Sequence, residues 1–504
     1  MMSNQQWIEQ VLLVEPVGEP PRRADVLIEG DRIAAIEPRL DPSLTNAATR
    51  TDGRGKLLIP GLINAHHHSH DRLDKGRFSG LPLEIWLSLY NPPGSNRSWT
   101  PREVYLRTVL NGVEMLRGGI TTVVDDIHFG AVLDPQVIEA ALQAYADLGI
   151  RAEVSAAWSD KPFFDGVPHL RECLPERLRR SSDALPATLK TVEDCWGALA
   201  KAWDGRVRFV FSPSAPQRCT LQFLEITWDL ARSFQRPVLI HLLETRIQAL
   251  TARREYKMPM AKYMHQHGLL TSNTLLAHGV WLTEEELELI AQSGASVVHN
   301  PACNLKQGSG LAPVSAMIRQ GVNVALGTDN NNGNDLNSMF DAMRLATFAG
   351  AVGRIEAKYP IDAARALLMA TLGGAKAVGR HAEIGAIEVG KQADFALLDL
   401  STPAFTPLNE ATTQLVFCEQ GQSVRDVFVG GRKVVDEGRI TQLDERALME
   451  EITQRMPSMM SRIEDSKDQG ARLRPYLEQA YQRCLEDPAM TSLLQTHNAL
   501  GAGV

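Results

Sequence analysis

The chain has 504 residues, 44% hydrophobic and 22% charged, with a formal net charge of −8; these ordinary globular proportions exclude a disordered or fibrous protein. The acidic balance argues against nucleic acid or an anionic membrane surface as partner, and no run of about 18 apolar residues suggests a membrane span. MMSNQQWIEQVLLVEP lacks the basic start and cleavage site of a secretory signal, and six cysteines scattered without a CxxC pair read as reduced thiols of a cytoplasmic protein.

From Val11 to about Pro60 short alternating strands are broken by turns, and Gly30-Asp31 between VLIE and RIAAIE is a hairpin signal. The segment is too small to stand alone, so it needs partner strands from elsewhere. Leu57 to Ile63 reads as one short buried strand that delivers His66, His67, His68 and His70 at its C-terminal end. Side chains two apart on a strand share a face. His66 and His68, with His70 as a third candidate, therefore point one way and His67 the other. Converging imidazoles suit zinc or iron and poorly suit calcium or magnesium; the alternative is a surface histidine cluster.

The long loop that follows carries Trp86, Tyr90 and Trp99 among Pro and Gly, and aromatic faces there suit a flat heterocycle. Amphipathic helices such as PREVYLRTVLNGVEMLRGG then alternate with the apolar runs ITTVVDD, RAEVSAAWS, VRFVFSPSAP, PVLIHLLET, NTLLAHGVW, ASVVHNP and VNVALGTD. With LLIPGLIN these make eight strands, which predicts a closed (β/α)₈ barrel with its chemistry at the strand C-termini. Near Gly385 the texture returns to β, and Gly430-Gly431 marks a second hairpin. The expected division is a composite β-sandwich from residues 1–60 and 383–440, an α/β barrel over 61–382, and a helical extension over 441–504. In that extension Met449, Ile452, Met456, Met459, Met460 and Ile463 recur at helical spacing as a packing face.

Four barrel strand ends carry ionisable groups: the His cluster, His241 with Glu244 in IHLLET, His278 in LLAHG, and Asp329 in LGTD. A buried strand ending in such a group is costly unless paired or metal-bound, so the four support one another. At these residues the chain resembles the amidohydrolase superfamily, in its mononuclear deaminase and chlorohydrolase branch that includes cytosine and guanine deaminases. The resemblance runs from ADVLIEGDRIAAI through PGLINAHHH, HLLET, LLAHGVWL, VVHNPACNLKQGSG and LGTD to GAIEVGKQADFALLD.

That resemblance implies His66, His68, His241 and Asp329 as ligands of one divalent metal, zinc first and iron second. A second metal would need a lysine on the fourth strand, and VRFVFSPSAP has none. It further implies Glu244 as proton shuttle and His278 as a hydrogen-bond partner of the attacking water or of the substrate. Asp329 would take a proton from a metal-activated water, and Glu244 would protonate the heterocycle. Trp86, Gln217, Arg218, His278 and Asn331 are the candidate substrate contacts. Asn330 to Asn332 read equally as a turn, and surface solvation is the alternative for Gln217 and Arg218. Cys303, where related chains have Ser, reads as a packing substitute.

The function expected is hydrolytic deamination of a purine, pyrimidine, pterin or triazine. An amide, urea or carbon–halogen bond cleaved at the same site is the alternative. A non-catalytic binding protein on the same barrel would be expected to lack the ligands. A small-molecule substrate is the expected partner, and the helical tail with the family habit implies a homo-oligomer.

Overall fold

The computed structural model describes residues 5–15, 20–41, 48–92, 98–129, 134–179, 205–352 and 361–500; Cys195 and part of the long aromatic loop fall outside them. At the amino end β1 (Gln5–Leu13), β2 (Arg22–Glu29), β3 (Arg32–Glu37), β4 (Thr49–Asp52) and β5 (Lys56–Pro60) follow in order. β2 and β3 form the expected hairpin about Gly30, which takes φ +63°. β5 pairs in parallel with β1 through Leu57 and Leu58. On its other edge it pairs antiparallel with a strand from the far end of the chain, Phe395–Asp399.

The barrel begins one residue later. The apolar run expected to be a single strand is two, because β6 (Leu62–His68) belongs to a second sheet. Gly61 makes the switch possible: a Cβ there would stand 2.5 Å from Thr121 Cγ2, and the Gly61 amide turns aside to the Asp394 carbonyl at 3.0 Å. β7 (Ile120–Ile127), β8 (Arg151–Trp158), β9 (Val207–Pro213), β10 (Val238–Leu242), β11 (Thr274–His278) and β12 (Ser296–His299) continue the parallel sheet. The eighth barrel strand is broken in two. β13 (Asn323–Leu326) pairs with β12, whereas β14 (Asp329–Asn330) pairs with β6 and so closes the ring. The fold is therefore the expected α/β barrel.

Near its base the barrel interior is filled by small and branched residues, Ala65, Val124, Leu239, Leu275, Ala277, Val298 and Ala325, against Ala377 and Val378. The site lies above this plug. β15 (Phe395–Asp399), β16 (Val424–Val429), β17 (Arg432–Asp436) and β18 (Arg439–Ile440) complete the first sheet from the carboxyl end. Gly430 and Gly431, at φ +55° and +71°, make the tight β16–β17 turn that a two-residue hairpin with positive φ at both centres requires. GAIEVG is not a strand; Gly385 and Gly390, at φ +89° and +90°, turn it.

One face of this composite sheet buries Ile8, Val11, Val26, Ile28, Phe395 and Phe428 in a cluster of its own. A buried ion pair ties it to the barrel: the Arg151 Nε on β8 meets Asp394 at 2.5 Å, and Arg151 Nη2 donates to Gln392 at 2.7 Å. Three helices end the chain, Glu445–Ala471, Arg474–Leu485 and Pro488–Ala499. On the first, Ile452, Met459 and Ile463 are buried and Met456 and Met460 partly so, while Met449 is exposed. Among the described residues no helix is long and apolar enough to cross a membrane.

Candidate metal centre and active site

Four strand ends bring their polar groups to one point above the plug. The Nε2 atoms of His68 and His241 lie 3.2 Å apart. Asp329 Oδ1 stands 3.4 Å from His66 Nε2 and 3.3 Å from His68 Nε2. A zinc ion bound tetrahedrally at about 2.0–2.1 Å would hold its ligand atoms about 3.3–3.4 Å from one another. The spacing of this cluster is that of a metal's coordination shell.

The hydrogen bonds around the cluster leave the right atoms facing inward. His68 Nδ1 donates to the Asp126 carbonyl, and His241 Nδ1 donates to the Ser214 carbonyl at 2.8 Å. Each ring therefore presents its Nε2 lone pair to the centre, the usual arrangement for metal-bound histidine. His66 and both Asp329 carboxylate oxygens are buried without a hydrogen-bond partner. Such orphaned groups cost free energy unless a cation satisfies them.

Electrostatics agree with that reading. Burial pushes His66 down to about 4 and His241 well below its ordinary value, keeping both neutral, as ligation requires. Burial opposes charge on His68 too, yet Asp329 and Asp126 lift it to about 10. Burial would raise Asp329, but His278, His66 and His68 hold its carboxyl well below the usual range. A pocket that would hold a proton between His68 and Asp329 favours a metal cation in the same place.

Glu244 and His278 flank the cluster. His278 Nε2 lies 3.8 Å from Glu244 Oε2 and 3.6 Å from Asp329 Oδ2, and its Nδ1 donates to Asn304 Oδ1 at 3.0 Å. Burial raises Glu244 to about 7, with His278 opposing and Asp329 and Glu84 adding to the rise. Leu243 beside it, His278 and Asp329 all sit at positive φ, +48°, +75° and +60°. Non-glycine residues there cost on the order of 1–3 kcal/mol each, and such strain gathers at functional sites.

The neighbouring residues divide by what they touch. His67 turns away, its Nδ1 3.3 Å from Thr328 Oγ1, which also accepts from Asn64 at 2.7 Å. His70 lies in a short 3₁₀ turn, Ser69–Asp74, beyond the strand; its Nδ1 accepts the His128 amide at 3.2 Å. Its ring stands 5.1 Å from that of His68 and 5.7 Å from that of Tyr90. Trp86 is buried and stacks on Tyr90 at 5.4 Å. Gln217 is buried in the turn Pro216–Arg218, and the Arg218 guanidinium lies over the Phe163 ring at 5.3 Å. Asn331 spends its amide within the protein: Nδ2 donates to the His68 carbonyl at 2.8 Å, and Oδ1 accepts from Arg72 at 3.0 Å. Burial pushes the Cys303 thiol well above its usual range, which leaves it neutral.

Sequence reasoning passed over Asp126, Asn304 and Glu84. Asp71 accepts the Asn331 and Asn332 amides at 3.0 Å each and so braces the β6 and β14 loops together. Two acidic residues ending a strand, as in VVDD, and an Asn four residues after another in HNPACN were the signals available.

The comparisons with known proteins meet the geometry at this point. The model of the amidohydrolase family matches residues 57–434. A 5-methylthioadenosine/S-adenosylhomocysteine deaminase of Pyrococcus furiosus is 33% identical over 428 residues, covering 85% of this chain and 94% of that protein. A 5'-deoxyadenosine deaminase of Methanothermobacter thermautotrophicus is 32% identical, covering 85% and 93%. Among solved structures, a zinc-bound adenosine deaminase from Xanthomonas campestris superposes with TM-score 0.79 at 29% identity, over 90% of this chain and 98% of that one. A variant of atrazine chlorohydrolase from Arthrobacter aurescens, with zinc and atraton, gives TM-score 0.77 at 25% identity, over 91% and 99%. The chain belongs to the amidohydrolase family, and it is a metal-dependent hydrolase of carbon–nitrogen bonds.

Proposed function

We propose that the chain removes an amino group hydrolytically from an N-heterocycle, with a 6-aminopurine derivative as the first substrate class to test. The observation that carries this reading is the convergence of His66, His68, His241 and Asp329 on one point, flanked by Glu244 and His278. We assign the four as ligands of a single zinc, iron being the second choice; the absence of lysine from β9 supports one metal. When bound, the metal lowers the pKa of a water molecule toward neutrality.

The chain's own residues supply the rest. Asp329 accepts the proton that leaves the attacking water. Glu244, protonated near neutral pH, donates to the ring nitrogen beside the carbon under attack; the proton held on Asp329 then passes to the departing amine, and the remaining hydroxyl proton returns to Glu244. His278, fixed by Asn304, holds the attacking oxygen in line. Trp86 offers a stacking face to the heterocycle, with Gln217 and Arg218 as polar contacts at the β9 end of the mouth. Asn331 serves as a brace for His68 rather than as a contact. Buried free thiols and the net negative charge favour a reducing cytoplasmic setting without nucleic acid, and the helical tail favours a homo-oligomer. We also assign the division near residues 60, 383 and 440 as the domain boundaries.

The likeness to atrazine chlorohydrolase keeps a second reading, displacement of halide at the same carbon position. Ammonia release from zinc-loaded protein across aminopurines, aminopyrimidines, pterins and aminotriazines tests the first reading. Turnover of halogenated or amide substrates alone would replace it with the second.

A further inference from the structure

The helix Leu83–Tyr90 stands between the metal centre and the C-terminal extension. Its residues sort by face. Ile85 and Leu89 join the main apolar core, and Trp86 and Tyr90, one turn apart, are buried as well. Their rings are parallel within 7°, and through Tyr90 and His70 they continue outward from His68. Parallel aromatic rings suit stacking with another flat ring.

Two contacts hold that helix in place. On the catalytic side Glu84 Oε1 accepts the Thr245 hydroxyl at 2.5 Å. Thr245 Oγ1 accepts the Gln248 amide at 3.3 Å, and Gln248 Oε1 accepts the Glu244 amide at 2.9 Å. The helix is thereby fastened to the turn that carries Glu244. On the other side the last turn of Glu445–Ala471 brings Gly470 directly onto the helix backbone. A Cβ at Gly470 would run into the Ser88 carbonyl oxygen and stand 2.7 Å from Leu89 Cα. Backbone cannot swing aside as a side chain can. Gly470 lies beyond the residues that match the family model, so this grip comes from the extension alone.

We propose that Glu84 and Gly470 are positioning residues that fix the Trp86–Tyr90 ring pair relative to the metal centre, making the C-terminal extension a determinant of which flat heterocycles fit. The inference rests on the deaminase reading of the site. The substitution Gly470→Ala isolates it, because alanine is the better helix former and would otherwise strengthen the helix that carries it.

The test uses full-length, zinc-loaded protein. It measures kcat and KM on the best heterocycle, zinc content, and hydrogen exchange over residues 83–90 without substrate. Gly470→Ala and Glu84→Ala are expected to raise KM roughly tenfold or more, the scale of a small misplacement of a binding surface. In Gly470→Ala zinc content and kcat should stay near wild type, and in both variants exchange over 83–90 should quicken. Glu84→Gln keeps the acceptor oxygen and is expected to restore KM. Unchanged KM and exchange in Gly470→Ala would overturn the inference, as would parallel loss of zinc and kcat with KM unmoved. If no heterocycle yields ammonia, the deaminase reading falls, and the exchange rates alone decide the clamp.

Discussion

Replacing Glu244 by Gln removes a buried carboxyl at the site whose acid form the fold prefers. Burial lifts this carboxyl from 4.5 to about 7, which corresponds to about 3 kcal/mol at about 1.4 kcal/mol per pH unit. The folded state binds this proton more tightly than the unfolded chain does. The resulting destabilisation is absent below about pH 4.5, grows as pH rises, and is complete above about pH 7. In metal-free protein Glu244→Gln should therefore match wild type near pH 4.5 and exceed it by about 3 kcal/mol near pH 8.5, read as a shift in denaturation midpoint. The same variant should lose most of its turnover, since the amide cannot give up a proton. A stability difference independent of pH would refute the assigned protonation, and full activity would refute the role.

Asp329→Ala should lose its metal in a chelator competition and drop kcat by about a thousandfold or more. Asn304→Ala removes the amide oxygen that His278 Nδ1 donates to at 3.0 Å; removing such outer partners lowers activity or metal affinity by about 10–100-fold, which steady-state kinetics with metal titration would show. Asp394→Ala leaves the Arg151 charge buried without its carboxylate at the junction of the two sheets, and should destabilise the protein by about 3–5 kcal/mol in denaturant melts. In the wild type, kcat/KM should fall as pH rises past about 7, where Glu244 loses its proton.

Much of the barrel was legible because parallel strands buried on both faces read as apolar runs, and each useful polar residue sat at a strand end. His66 and His68 share a face because strand geometry requires it, and the structure has them together. Three things escaped. The break at Gly61 is invisible in an apolar run, since only the approach of Thr121 shows that a side chain cannot fit there. The eighth strand's division before Asp329 depends on ring closure against β6, a pairing between residues some 260 positions apart in the chain. Glu84 looked like any surface glutamate in an aromatic loop, and its burial is decided by Thr245, on a distant strand end. Asn331 shows the converse, since a residue that the sequence left open between a turn and a substrate contact has its amide bonded to Asp71 and Arg72.

The most direct test of the central claim is metal analysis of the purified chain coupled to an ammonia-release assay before and after chelation. One divalent ion per chain is expected, with ammonia released from an aminoheterocycle, abolished by chelation and restored by zinc. Undiminished turnover in metal-depleted protein, or a metal-loaded protein that releases ammonia from no heterocycle, would contradict it.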